Sequence, residues 1–154
     1  MRRYYENSKG ELFVAPVLAS HVGLIGITKN QFNEKLAERN KPTSDQLLQQ
    51  LTIARKEQER QGVTINGIRY AGDPSNRQAL QEAVAFMNDA GLTEFASWKD
   101  SDDVFHVDHP LTDVVDAYRA IGARRVQLIA AEGQYAAQVV DGSLTEVTGL
   151  TWPQ

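Results

Sequence analysis

The stretch that decides the fold is GVTINGIRYAGDP, residues 62–74. Its Asn66-Gly67 pair supplies the two residues with positive φ that a two-residue type I′ turn requires, so we predict a β-hairpin here. A loop of this length places Ile65 opposite Ile68. The apolar residues that then share one face are Val63, Ile65, Ile68 and Tyr70. The turn and the alternation of side chains therefore predict the same hairpin.

Helices are predicted on both sides of this hairpin. The polar triplet at residues 43–45 begins one helix, and Gly62 is suited to cap its C-terminus. Every side chain of residues 55–61 is charged or carries an amide, which predicts a segment that projects into solvent or lies against a polar surface. Asp73 and Pro74 are an N-cap acceptor and a first helical residue, and they begin the second helix.

A second hairpin and a long helix follow. Residues 95–98 and 104–107 flank a polar run and predict the hairpin. Apolar residues at spacings of three and four between residues 111 and 139 predict the helix. Gly122 and Gly133 each weaken that helix by about 1 kcal/mol relative to alanine, so we expect packing to hold it. Whether it breaks near Gly133 is left open by the sequence.

The first 41 residues predict a smaller section. Residues 3–6 and 11–14 flank a run of turn formers and predict a hairpin, and residues 24–27 predict a third strand. Thr28, with a glutamine three residues later, predicts a capping box at the start of a short helix. Few residues here are apolar, so we expect this section to lean on a partner or on the rest of the chain.

These elements together predict an α+β fold in two sections. Residues 1–41 form an attachment section of hairpin, strand and helix. Residues 42–154 form an α+β domain in which short β-hairpins pack on about three helices, the longest of them C-terminal.

Composition excludes several classes of function. The 42% of hydrophobic residues is typical of a folded domain. The net charge of −4 gives no field that would attract phosphates, so we expect no nucleic acid partner. No cysteine is present, which excludes disulfides and a thiolate nucleophile. We expect no membrane span and no export leader, because no apolar run is long enough for either. The pair Arg124-Arg125 is typical of a solvated face.

Only one cluster resembles a metal site, His106-Val107-Asp108-His109. Alternate residues of a strand share a face, which would bring His106 and Asp108 together and leave His109 apart. A structural zinc site needs four ligands, so we expect no metal here. We expect instead that Asp108 or His109 caps the following helix.

The remaining polar motifs predict no catalytic residue and no cofactor. The acidic run at residues 100–103 lacks the glycine and the bidentate glutamate of a calcium-binding loop, and it is interpreted as a solvated turn. No serine has the context of a nucleophile elbow, and no glycine-rich loop follows a strand.

Five aromatic residues are candidate partner anchors: Tyr4, Tyr5, Phe13, Trp98 and Trp152. Core packing in its hairpin is the favoured interpretation for Trp98. Trp152 lies in an otherwise polar tail and could either fold back or dock on a neighbour.

The second section resembles a domain of unknown function common in phage and prophage tail proteins. The match covers residues 45–154, and its centre is the motif of residues 62–74. A charged helix precedes the motif, and a helix, a tryptophan hairpin, a long helix and the tail GLTWP, residues 149–153, follow it. The first section resembles tail-fibre assembly proteins through YYENSKGELF, residues 4–13, and IGITKNQFNE, residues 25–34.

These resemblances imply a non-enzymatic phage tail protein, located in the virion tail or in the host cytoplasm during assembly. It would be a structural component or an assembly chaperone, with a tail-fibre or baseplate protein as partner and a possible homo-oligomer. Two alternatives stay open, a small regulatory or host-takeover binding protein and a tail-borne glycan hydrolase. The hydrolase requires converging carboxylates among Glu94, Asp100, Asp102, Asp103, Asp108 and Asp113.

Overall fold

The structure is a computed structural model that describes residues 2–16 and 23–154. The chain divides into two compact units, Met1–Thr43 and Ser44–Gln154. Within the described residues the fold is α+β, with four helices and three small antiparallel sheets. The longest helix is C-terminal, which confirms the predicted fold class. None of the described helices combines the length and the apolar character that a bilayer crossing needs.

The first unit is a three-stranded antiparallel sheet with one helix. Its elements are β1 (Arg2–Asn7), β2 (Leu12–Pro16), β3 (Leu24–Ile27) and α1 (Lys29–Arg39). The strand order is β2-β1-β3, so the predicted hairpin and the predicted third strand are both confirmed.

Local side-chain bonds set the ends of these elements. The carboxamide oxygen of Asn7 accepts from the backbone N–H groups of Lys9 and Glu11, each at 2.9 Å, and this closes the first turn. At the start of α1 the backbone of Gln31 donates to the Thr28 hydroxyl at 3.1 Å, and the backbone of Thr28 donates to the Gln31 side chain at 2.9 Å. The predicted capping box is therefore confirmed.

The second unit alternates helices with two hairpins. Its elements are α2 (Ser44–Gln61), β4 (Val63–Ile65), β5 (Ile68–Tyr70), α3 (Pro74–Asp89), β6 (Glu94–Lys99), β7 (Phe105–Pro110) and α4 (Leu111–Asp141). The helix α4 is continuous through both of its interior glycines, which answers the question that the sequence left open.

The first hairpin has the predicted turn and register. Asn66 and Gly67 have φ angles of 50° and 83°, as a type I′ turn requires. Ile65 pairs with Ile68, and the pairs Thr64–Arg69 and Val63–Tyr70 follow. After the hairpin, the Asp73 carboxylate accepts from the backbone N–H groups of Ser75 and Asn76, and Pro74 opens α3.

The second hairpin corrects two predictions about its histidines. Asp108 has a φ of 49°, and this left-handed residue interrupts the alternation of β7. His106 and His109 therefore face the same side, with ring centroids 5.9 Å apart, while Asp108 is exposed. The expected pairing of His106 with Asp108 is wrong. The residue before α4 is Pro110, which makes no side-chain cap, so neither Asp108 nor His109 caps that helix.

Two hydrophobic clusters share α4. One contains Leu47 and Leu51 of α2 with Leu128 and Val139 of α4, and it also includes Trp152. The other joins the first hairpin and α3 to the first half of α4; its buried members are Tyr70, Leu80, Val114, Ala117 and Ile121. Burial on both clusters explains how α4 tolerates its glycines, since packing outweighs their weak helix propensity.

Candidate functional site

The predicted anchors of the first unit differ in how accessible they are. The ring of Tyr4 packs against Phe32 of α1, with 4.9 Å between centroids. Tyr5 pairs with Phe13 across the sheet and is only 8% exposed, whereas Phe13 is 39% exposed. Of these three candidates, Phe13 therefore offers the most accessible side chain.

The first unit carries other exposed apolar side chains beside Phe13. They are Val14, Ile25 and Leu36, exposed by 46%, 64% and 40%. Val14 and Ile25 belong to the two outer strands of the sheet, and Leu36 belongs to α1. Among the described residues of this unit, Tyr5 alone is a buried hydrophobic residue. The described part of the unit thus has little core and much apolar surface.

Trp98 packs inside an aromatic cluster of the second unit. Its ring lies 4.9 Å from that of Phe95 and 6.1 Å from that of Tyr70, and it stacks on His109 at 5.6 Å. Its indole nitrogen is buried without a hydrogen-bond partner in the described part of the chain. Trp98 therefore contributes to the packing of the hairpin on the rest of the domain.

Each of the two histidines beside Trp98 has a protein partner. The Tyr70 hydroxyl lies 2.7 Å from Nε2 of His109, which is 2% exposed. Burial lowers the pKa of His109, an effect that the charge of Asp113 opposes and that of His106 reinforces. Burial also raises the pKa of Tyr70 to about 12, with help from the charges of Asp113 and Asp100. Both members of the pair are therefore neutral near pH 7.

The acidic turn after β6 is exposed at Asp102 and Asp103, as the interpretation as a solvated turn predicted, but Asp100 is tied to the protein. Asp100 binds Nε2 of His106 at 2.8 Å, and this bond, with backbone donors from Val104 and Asp102, holds the pKa of the Asp100 carboxyl below its usual range. Arg69 of the first hairpin donates to Asp102 at 2.8 Å. No group of three or more potential metal ligands occurs among residues 2–16 and 23–154.

The polar half of α2 lies against a buried ionic cluster. Glu59 is 8% exposed, and its carboxylate contacts Arg55 at 2.5 Å, Arg77 at 3.3 Å and Arg125 at 3.3 Å. Arg55 also contacts Glu132 of α4 at 2.5 Å. Of the two predicted environments for this segment, the structure therefore shows the polar surface. These contacts join α2, α3 and α4.

Arg124 was expected on a solvated face, and that expectation is wrong. The side chain is 8% exposed, and its Nη1 donates to the carbonyls of Gln58 at 2.6 Å and Gly62 at 3.0 Å. These carbonyls belong to the C-terminal end of α2, whose last turn has no partner of its own for such groups. Arg124 therefore acts as a C-terminal cap supplied by another helix. The sequence offers no local signal for it, because 66 residues separate Arg124 from Gln58.

Trp152 folds back onto the domain. It is 8% exposed, belongs to the cluster of α2 and α4, and meets the Tyr135 ring edge-on at 5.4 Å. The Tyr135 hydroxyl donates to the carbonyl of Thr151 at 2.5 Å, which fixes the tail beside α4. In this arrangement Trp152 is a core residue, so its side chain is not available to anchor a partner.

A groove of about 940 Å³ lies between α3 and α4. Arg77 and Arg125 line it, but both also contact Glu59, so their charge is partly neutralised. The other large polar residues of its wall are Gln78, Gln81, Glu82, Tyr118 and Arg119. The two arginines of this groove thus also serve the ionic cluster around Glu59.

The fold and these clusters define a small α+β domain whose buried polar groups support its structure. The chain belongs to the family described as a domain of unknown function (DUF4376), whose model matches residues 42–149. No curated protein matches the chain. No solved structure matches it either.

Proposed function

We propose that this chain is a non-enzymatic phage tail protein that binds a tail-fibre or baseplate partner through the unit Met1–Thr43. The observation that carries the proposal is the apolar surface of this unit. Phe13, Val14, Ile25 and Leu36 expose much of their side chains, while the described part of the unit buries Tyr5 alone among its hydrophobic residues. Phe13 lies on the face of the sheet that carries Tyr5, and Val14 and Ile25 lie on the opposite face, so both faces of this small unit present apolar side chains that a partner can cover.

The resemblance of residues 4–13 and 25–34 to tail-fibre assembly proteins supports the choice of partner. The same two stretches contain Phe13 and Ile25, so the motif and the exposed surface coincide. The outer strands β2 and β3 have no further strand paired with them among the described residues, which favours addition of a strand from a partner. In this proposal the second unit supplies a stable body, and the first unit supplies the contact.

The glycan hydrolase alternative is disfavoured because four of its six candidate carboxylates bind separate partners within the protein. Asp100 is bonded to His106, Asp102 to Arg69 and Asp103 to Lys99. Asp113 accepts from the side chain of Asn66 at 3.0 Å. These acids serve separate structural partners, whereas glycoside hydrolysis needs two carboxylates that converge on one bond.

Co-expression with the product of the adjacent tail-fibre gene tests the proposal. The wild-type chain should co-purify with the fibre, and the double variant F13S/I25S should not. The control is Ile53→Ser in α2, because Ile53 is 67% exposed in the other unit and this variant should bind normally. Equal recovery of fibre by F13S/I25S and by the wild type would overturn the proposed surface.

Mass spectrometry of purified virions separates the two roles that the proposal includes. A stoichiometric copy number in the particle identifies a structural component. Absence from the particle, together with a fibre that trimerises only when this chain is present, identifies an assembly chaperone. A fibre that neither contains nor needs the chain would refute both roles.

A further inference from the structure

One face of α4 is apolar, and the other elements of the unit Ser44–Gln154 leave it exposed. Three of its larger side chains are strongly exposed, Val126 by 68%, Ile129 by 42% and Val140 by 77%. Alanine and glycine fill most positions between them, Gln127 and Gln134 lie along one edge, and no charged residue interrupts this face between residues 122 and 140. The face is about 27 Å long, from the rise of 1.5 Å per residue.

The residues of this face repeat every seven positions. Ala123, Ala130 and Ala137 form one row, and Val126, Gly133 and Val140 form a second row beside it. We call these two rows the α4 seam. A seven-residue repeat keeps the same side chains against a partner helix through a left-handed supercoil. Because the seam is rich in alanine and glycine, the partner helix can approach closely.

The ends of the seam carry opposite charges. Arg119 precedes Val126 by one heptad, and Asp141 follows Val140 directly. Both are exposed, and the Arg119 side chain keeps 76% of its accessible surface. A second α4 in parallel register would bring like charges together at each end. An antiparallel α4 brings each arginine to an aspartate.

The seam is also complementary to itself in shape. When two copies run antiparallel about an axis at Ala130, Ala123 lies opposite Ala137, and Arg119 lies opposite Asp141. The same alignment sets Val126 level with Gln134, and the neighbouring Gly133, which has no side chain, leaves room for the valine. In one register, therefore, the alanines face each other, the glycine leaves room for the valine, and opposite charges meet at both ends. An isologous interface requires such self-complementarity.

We propose that α4 binds α4 of a second copy of this chain, antiparallel and along the α4 seam, with the two-fold axis at Ala130. A self-complementary surface identifies a second copy as the occupant, because an unrelated helix would have no reason to match both charged ends. This interface belongs to the unit Ser44–Gln154. It does not depend on the binding of a fibre by the first unit.

Sedimentation equilibrium of the full chain tests the interface. The wild type should be a dimer, and Ala130→Glu, which places two carboxylates at the axis, should raise the dimer Kd by about tenfold or more. Gln127→Glu is the matched control, since it adds the same charge to an exposed position of α4 beside the seam. Circular dichroism confirms that each variant is folded. A monomeric wild type, or an A130E dimer as tight as the control, would overturn the proposal.

Charge exchange tests the orientation. Arg119→Asp and Asp141→Arg should each weaken the dimer by about tenfold at low salt, and the double variant R119D/D141R should restore it. Additive weakening in the double variant would contradict the antiparallel register.

Cysteine cross-linking gives an independent measure of orientation, because the chain has no native cysteine. A mixture of A123C and A137C chains should form disulfide-linked dimers under oxidation, and either variant alone should not. Self-cross-linking of A123C as efficient as that of the mixture would refute the proposed pairing.

Discussion

Gly62 and Gly72 allow the end of α2 and the end of β5 to touch through their backbones. A Cβ on Gly62 would lie 1.8 Å from the carbonyl oxygen of Tyr70, and one on Gly72 would lie 2.2 Å from that of Glu59. Gly62 also has a φ of +70°, in the left-handed region. The first glycine of the family motif is therefore required both by conformation and by space.

Alanine substitutions at Gly62 and at Gly67 separate the conformational requirement from the requirement for space. Gly67→Ala meets no atom within 4 Å, although its φ is +83°, so it should cost about 1 kcal/mol of unfolding free energy through backbone strain alone. Gly62→Ala should cost about 1–3 kcal/mol more, because its Cβ also collides with rigid backbone. Urea unfolding monitored by circular dichroism measures both. Equal losses in the two variants would mean that the close approach is absent.

His109 should make stability depend on pH. Its pKa in the folded chain is lowered by burial from the ordinary value of 6.5, so below that value the unfolded chain binds a proton that the folded chain resists. The stabilisation is fully present above pH 6.5. It is lost as the pH falls from there towards the lowered pKa, by up to about 1.4 kcal/mol per pH unit.

Urea unfolding between pH 7.5 and 5.5 checks this slope. His109→Gln should flatten it, because glutamine does not titrate. Tyr70→Phe removes the hydroxyl bond and keeps the imidazole, so it should lower stability and retain the slope. A slope that survives in H109Q would assign the pH dependence to another group.

Local residue signals predicted much of the backbone. The turn at Asn66 and the caps at Thr28 and Asp73 depend on atoms within three residues, so the sequence states them directly. Asp108 adopts a positive φ, a conformation that is uncommon for a residue other than glycine. The alternation rule could not reveal it, and it therefore placed His109 on the wrong face.

At the scale of elements, α2 needs side chains from other helices for two purposes. They neutralise its buried Glu59, and they cap the carbonyls at its C-terminal end. Glu59 is neutralised by arginines from three places in the chain, and Arg124 of α4 binds the last carbonyls. A run of polar residues is compatible with solvent or with a buried ionic cluster. The sequence could not distinguish these environments, because the partners of this run lie up to 77 residues away.

The cap from Arg124 predicts that substitution of Arg124 lowers the free energy of unfolding more than substitution of Arg60 does. Arg124→Met should lower the unfolding free energy by about 2–3 kcal/mol, because it leaves buried carbonyls of α2 without a donor. Arg60→Met is the control, since Arg60 lies in the last turn of α2 and its side chain is 69% exposed. The control should change stability by less than about 0.5 kcal/mol. Chemical unfolding measures the free energy of unfolding of both variants. A similarly small decrease in each would argue against the cap.

At the scale of the molecule, the folded domain extends beyond the C-terminal end of the family match. The match stops at residue 149, yet Trp152 is buried against α2 and α4, and Tyr135 holds the carbonyl of Thr151. Both aromatic groups lie in one of the two clusters that stabilise α4. The tail is therefore part of the domain, and the stability of α4 should depend on it.

Removal of the Trp152 side chain tests this dependence. Trp152→Ala should lower the unfolding free energy by about 3–5 kcal/mol, the usual cost of emptying the space of a buried large aromatic residue. Gln154→Ala, two residues on and exposed, should have little effect.

Because α4 contributes to both clusters, the loss should appear as one cooperative transition at a lower urea concentration, with the Trp98 cluster unfolding at the same midpoint. Fluorescence of Trp98 reports that midpoint in W152A, where it is the remaining tryptophan. A Trp98 transition that stays at the wild-type midpoint would show that the two clusters unfold independently and that α4 does not couple them.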